Sequence, residues 1–168
     1  MPSILIVCTA NQCRSPMGMA LLRHRITELG LEEEWVIDSA GTWGGDGIPA
    51  TYTAVGAMEE RGLDLVEHRS RRITEQMLRG YDLVLTMTRD HQEGIQVEFP
   101  AYRDKVFMLS EMMGERFDIA DPIGSPLEAY RETASVLDRI FEVSLDRILE
   151  IARSNHAAKD PENPPSHP

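Results

Sequence analysis

The stretch that most constrains this chain is its opening, "SILIVCTANQCRS", Ser3 to Ser15. Ser3 to Cys8 is an almost unbroken apolar run, short, rich in β-branched residues and without polar alternation. Such a run reads as a strand buried on both faces, the situation of an inner strand in a parallel sheet. After the irregular "TANQCR" comes "SPMGMALLRHRITELG", where Ser15 is placed to cap a helix, Pro16 suits its first position and Gly30 can end it. Leu22, Ile26 and Leu29 recur at helical spacing. A parallel strand needs a crossover to its neighbour and helices on its faces, so the remaining chain must supply further strands separated by helices.

It does so. "WVIDSAG" predicts a second strand over Trp35 to Ser39, "YDLVLTM" a third, and "KVFML" a weaker fourth. Between them, "PATYTAVGAMEERG" has helical spacing at Ala54, Val55 and Met58, and "TEQMLRG" reads as a short helix capped by Thr74. "SPLEAYRETASVLDRIFEVSLDRILEIA" predicts the longest helix, with Ser125 as cap and Glu128 completing a capping box. Leu127, Tyr130, Ala134, Leu137, Phe141, Leu145 and Ile148 form one apolar stripe that docks on the sheet. The expected fold is α/β: a single-domain three-layer sandwich with a four-stranded parallel sheet, helices on both faces and a phosphate-binding loop after the first strand. Residues 1–155 make the domain. Residues 156–168, "HAAKDPENPPSHP", have four prolines and no stripe, and are expected to be disordered.

A length of 168 residues allows one domain with a real core, and no apolar stretch reaches membrane-spanning length. The start "MPSILIVC" lacks the basic region of a secretory signal, which favours a cytoplasmic location. A net charge of −11 argues against nucleic acid and acidic membranes as partners. It leaves room for a local positive pocket. The one compact basic cluster, "HRSRR" at His68 to Arg72, reads as a solvated turn ahead of a polyanion contact.

Both cysteines, Cys8 and Cys13, lie in the loop after the first strand. They are too few for a disulfide scaffold or a four-thiolate zinc site, even with His24 nearby; a structural thiol pair is the other bland reading. Position favours chemistry. Ligands of parallel sheets bind beyond the carboxyl ends of the strands. A loop there can turn successive N–H groups inward as an oxyanion nest, and the following helix N-terminus adds positive charge. Arg14 supplies a planar fork for two phosphate oxygens, and the same field favours a Cys8 thiolate. This is a C-x5-R arrangement, with a thiolate beneath a bound phosphoryl group.

The chain resembles the low-molecular-weight protein-tyrosine-phosphatase family in its bacterial form, which includes phosphoarginine phosphatases. The family loop C-x-G-N-x-C-R-S-P stands here as "CTANQCRSP". "DSAGT" (Asp38 to Thr42), "LTMTRDH" (Leu85 to His91), "YRDKVFML" (Tyr102 to Leu109) and "DIADPIG" (Asp118 to Gly124) follow in order, so the resemblance spans about residues 3 to 153. It implies a phosphate-binding loop of Thr9, Ala10, Asn11, Gln12, Cys13, Arg14 and Ser15, with Cys8 as nucleophile. Asn11 orders the loop, Ser15 bonds the thiolate, and Cys13 can pair reversibly with Cys8 on oxidation. Ala10 departs from the usual glycine, and would be strained if that position required positive φ.

A leaving group also needs a proton. The family's Asp-Pro pair falls on Asp121 and Pro122, which makes Asp121 the general acid and leaves Asp118 as a turn or supporting residue. The resemblance implies no cofactor and no metal, a phosphorylated protein or peptide as substrate, inorganic phosphate as product, and a monomer or weak homodimer. A thiol-coupled arsenate reductase would need cysteines after Cys13, and none follows. A non-catalytic phosphopeptide-binding module would need neither the nucleophile nor the acid. Trp43 is the candidate aromatic wall. Ile123 stands where the family's phosphotyrosine enzymes often carry an aromatic residue. Gln12 matches neither the aliphatic residue of tyrosine-directed members nor the threonine of arginine-directed ones. The commoner activity of the family makes phosphotyrosine the first expectation and phosphoarginine the alternative.

Overall fold

The computed structural model describes residues 1–159. Its centre is a four-stranded, wholly parallel sheet in the order β2 (Val36–Gly41), β1 (Ser3–Cys8), β3 (Leu83–Thr86), β4 (Val106–Met108). Every residue of β1 is buried. Alternate side chains go to opposite faces: Ile4, Ile6 and Cys8 join the larger core, and Leu5 and Val7 the smaller. This two-sided burial is why the run shows no polar alternation.

Helices α1 (Arg14–Glu28), α2 (Tyr52–Glu59) and α5 (Leu127–Lys159) cover the larger core. Leu78 of α3 (Glu75–Gly80) and Ile95 of α4 (Arg89–Glu98) close the smaller one. The three-layer α/β expectation therefore holds, and so does the α5 stripe: Tyr130, Ala134, Leu137, Phe141 and Ile148 are buried, and Leu127 and Leu145 pack partly buried beside them. The strand order reverses at β1, with β2 on one side and β3 on the other. This is the switch point at which open α/β sheets form their binding crevice.

Four details depart from the sequence reading. The second strand runs to Gly41, because its pairing with β1 continues to the Cys8–Gly41 register. Helix α1 starts at Arg14 behind Cys13, without a side-chain cap; Ser15 is not the cap, since its hydroxyl is engaged in the loop. Helix α4 has no apolar stripe to announce it: its buried residues are His91, Gln92 and Ile95. Finally, α5 continues past residue 155 to Lys159. The almost fully buried Asp82 carboxylate holds that last turn, taking His156 Nδ1 at 3.1 Å and Lys159 Nζ at 2.7 Å, while Asn155 donates to the Asp82 carbonyl at 2.9 Å. Residues 156–159 thus pack with the domain; the rest of the expected tail, 160–168, lies outside the described residues.

Candidate active site

The loop from Cys8 to Ser15 leaves the carboxyl end of β1 and enters α1. Its carbonyls face its supports: Thr9 O accepts from Trp43 N, Gln12 O from Thr51 N and Cys13 O from Met17 N. Among the described residues no protein acceptor takes the N–H groups of Ala10 to Ser15. The loop is therefore polarised, with carbonyls held outward and N–H groups left for an anion.

Asn11 fixes this shape. It is fully buried and is the only described non-glycine residue with positive φ, at 59°. Its amide donates to Ser15 Oγ at 2.8 Å and to Ser39 Oγ at 2.9 Å, and its Oδ1 accepts from Arg71 N at 3.0 Å. Its backbone carbonyl meets His68 Nε2 at 2.8 Å. Asparagine tolerates the left-handed region, and four hydrogen bonds offset the strain. Ala10 does not occupy that region, so its methyl brings no backbone strain. Gly41 lies against the loop from β2; a Cβ there would sit 2.5 Å from the Thr9 carbonyl oxygen, so only glycine fits.

Cys8 is 3% exposed, with Sγ 3.0 Å from Ser15 Oγ. Ser15 already accepts from Asn11 and has Ala40 O at 3.3 Å as a second acceptor. With a thiol, Cys8 can donate to Ser15 and Ser15 to Ala40 O; with a thiolate, the Ser15 proton turns to sulfur. Cys13 points elsewhere, 3.4 Å from Thr51 Oγ1 and 3.6 Å from Tyr130 OH, and burial pushes its thiol pKa up. Both thiols are free.

Arg14 is buried at 4% exposure. It donates to Ile119 O at 2.8 Å and to Thr9 Oγ1 at 3.3 Å, and meets Asp121 Oδ2 at 3.3 Å. The Asp121 carboxylate thus stands beside the guanidinium that a phosphate would bind. Its other oxygen accepts from Ile123 N at 3.1 Å, which folds the "DPIG" turn around the acid. Asp118 is used differently: it accepts from Arg89 N at 2.9 Å, at the start of α4. Trp43 and Ile123 are both exposed, at 69% and 55%; Gln12 is half-buried.

Sequence reasoning missed the supports. His68 and Arg71 belong to the cluster read as a solvated turn, yet they brace Asn11, and Arg71 also donates to Ser39 O at 3.1 Å. That cluster is a strap on the loop. His91, whose Nε2 lies 2.8 Å from Thr9 Oγ1, was visible only as part of a motif.

A thiol at the end of a buried parallel strand, an arginine six residues on and a cradle of unpaired N–H groups define a cysteine-dependent phosphomonoester hydrolase. The chain belongs to the low molecular weight phosphotyrosine protein phosphatase family, whose model matches residues 3–153. It is 38% identical over 146 residues (87% of this chain, 95% of the other) to the probable low molecular weight protein-tyrosine-phosphatase EpsP of Ralstonia nicotianae. It is also 38% identical over 139 residues (82% and 91%) to the protein-arginine-phosphatase of Bacillus subtilis. Among solved structures it resembles a YwlE arginine phosphatase mutant with a phosphorylated active-site serine, with a TM-score of 0.84 and 36% identity over 91% of this chain and 99% of that one.

Proposed function

We propose that this protein is a protein-arginine phosphatase working through a cysteinyl-phosphate. The observation that carries the hydrolase reading is the convergence of Cys8, Arg14 and Asp121 on one polarised loop. In the first step the Cys8 thiolate attacks phosphorus, the bond to the leaving atom breaks, and Asp121 gives that atom its proton. In the second, Asp121 takes a proton from water, the water oxygen attacks phosphorus, and the sulfur–phosphorus bond breaks to release phosphate. Arg14 and the loop N–H groups hold the equatorial oxygens in both steps.

The substrate choice reverses the first expectation from sequence. Relatives named for tyrosine and for arginine stand at the same 38% identity. Ile123 and the likeness to the YwlE arginine phosphatase favour phosphoarginine. With Ile123 aliphatic, the aromatic candidate beside the loop is Trp43, whose backbone N–H bonds the Thr9 carbonyl. A guanidinium stacks well on one aromatic face, and its N–H groups can donate to the unprotonated oxygen of the Asp121 carboxyl. Matched peptides carrying phosphoarginine or phosphotyrosine at one position decide the matter by kcat/KM. At least a tenfold preference for phosphoarginine is expected, about 1.4 kcal/mol in transition-state binding; the same preference for phosphotyrosine would overturn the choice. Gln12→Thr and Gln12→Ile should move the ratio in opposite directions.

Cys13 completes the reading as a guard thiol. A thiolate oxidised to sulfenic acid condenses with a nearby thiol before it oxidises further. Cys13 must first leave Thr51 and Tyr130, so the loop has to flex. Mild peroxide is expected to give reversible inactivation with a Cys8–Cys13 disulfide in peptide mass maps. Cys8 recovered only as sulfinic or sulfonic acid would remove Cys13 from this role.

A further inference from the structure

The motif "LTMTRDH" ends in His91, which the two-step mechanism leaves unused. His91 is 7% exposed in the first turn of α4, and both its ring nitrogens are engaged. Nδ1 accepts the Thr88 N–H at 3.2 Å, and Thr88 Oγ1 accepts the His91 N–H at 3.2 Å, a reciprocal capping box. A nitrogen that accepts carries no proton, so the proton of a neutral ring is on Nε2. The ring is neutral at ordinary pH, because burial first and the charge of Arg14 next push its pKa down to about 4. Nε2 therefore donates to Thr9 Oγ1 at 2.8 Å.

The same hydroxyl oxygen accepts from Arg14 at 3.3 Å. A hydroxyl has two lone pairs and one proton. With both lone pairs engaged, Thr9 can act only as a donor toward a third group. No acceptor among the described residues takes that proton. We infer that His91 is a positioning residue for phosphoryl transfer: it fixes the Thr9 hydroxyl as a donor to an oxygen of the phosphoryl group that Arg14 holds. The inference rests on the phosphatase reading of the loop. It turns the cap of the helix that follows β3 into a support for the reacting centre, tying α4 to the loop through one imidazole. Without the imidazole proton, Thr9 is free to aim its own proton at another acceptor.

The test separates the two ends of the ring. Asparagine at 91 keeps an acceptor near the Nδ1 position, and so the Thr88 cap, but stops short of Thr9. Glutamine reaches about as far as Nε2 and restores a donor to Thr9. Measured on the full chain with a small aryl phosphate, Thr9→Val and His91→Asn are each expected to lower kcat/KM roughly tenfold or more, as for loss of a hydrogen bond to a charged group. His91→Gln should recover most of the loss. The double variant Thr9→Val with His91→Asn should be no worse than Thr9→Val alone. Losses that multiply in the double variant, or a His91→Gln as impaired as His91→Asn, would overturn the inference. So would full activity in Thr9→Val, a variant that leaves the capping box intact and does not depend on α4 folding unchanged. An inactive parent would instead sink the phosphatase reading, and this inference with it.

Discussion

Cys8→Ser is expected to cut turnover of an aryl phosphate by roughly three orders of magnitude or more, because an alcohol then replaces sulfur in the nucleophile role we propose for Cys8. Little else should change. The substitution alters one buried atom, and the serine oxygen can still meet Ser15 Oγ, which lies 3.0 Å from the sulfur. The loop owes its shape to Asn11, His68 and Arg71, none of which touches Cys8 Sγ. On the proposed reading phosphate is held by Arg14 and by the free N–H groups, so affinity for inorganic phosphate should persist. The pair of measurements is steady-state turnover and phosphate titration on the same preparation. Turnover near the parent rate would remove Cys8 as nucleophile. Lost phosphate affinity with an unchanged melting temperature would mean that the sulfur takes part in anion binding.

How much of this was legible in the residues follows from locality. The strand-loop-helix opening could be read because β1 is buried on both faces and α1 begins within the same stretch. The long stripe of α5 could be read because 3.6-residue periodicity is strongest in long helices. Helix α4 could not, since a histidine and a glutamine fill buried positions that a hydrophobic pattern leaves blank. The position of the α5 end depends on Asp82, more than 70 residues away in sequence and invisible to any window. In the site, residues contributed by the loop itself were legible, and those that brace it from other elements were not. Ser39 and His91 reach Asn11 and Thr9 because the parallel register brings β2 and β3 alongside β1, and His68 and Arg71 reach Asn11 because their segment hydrogen-bonds to Gly41 at the end of β2. Ser15 shows the reverse case. Its local cue for capping was sound, yet the hydroxyl serves Cys8 and Ala40, because the helix already begins at Arg14 and the buried Met17 N–H goes to the Cys13 carbonyl.

Asp121→Asn is expected to cost roughly a hundredfold or more on phenyl phosphate and much less on a nitrophenyl ester. The difference is the diagnostic. Nitrophenolate leaves without a proton, whereas phenolate needs one. The substitution is conservative for the fold: the asparagine oxygen can still accept the Ile123 N–H that Asp121 takes at 3.1 Å. It also removes the carboxylate 3.3 Å from Arg14, which on the proposed reading would compete with phosphate for that guanidinium. Affinity for inorganic phosphate should therefore rise as kcat falls, a split that unfolding or loop disorder would not produce. Asp118→Asn serves as the comparison, since Asp118 is committed to the Arg89 N–H at 2.9 Å and an asparagine oxygen can replace it there. Its turnover should stay close to the parent's. On a phosphoarginine peptide, the Asp121→Asn loss should be at least as large as on phenyl phosphate, because a guanidine cannot leave as an anion. An equal loss on phenyl and nitrophenyl esters would take proton donation away from Asp121, and a larger loss in Asp118→Asn would transfer it there.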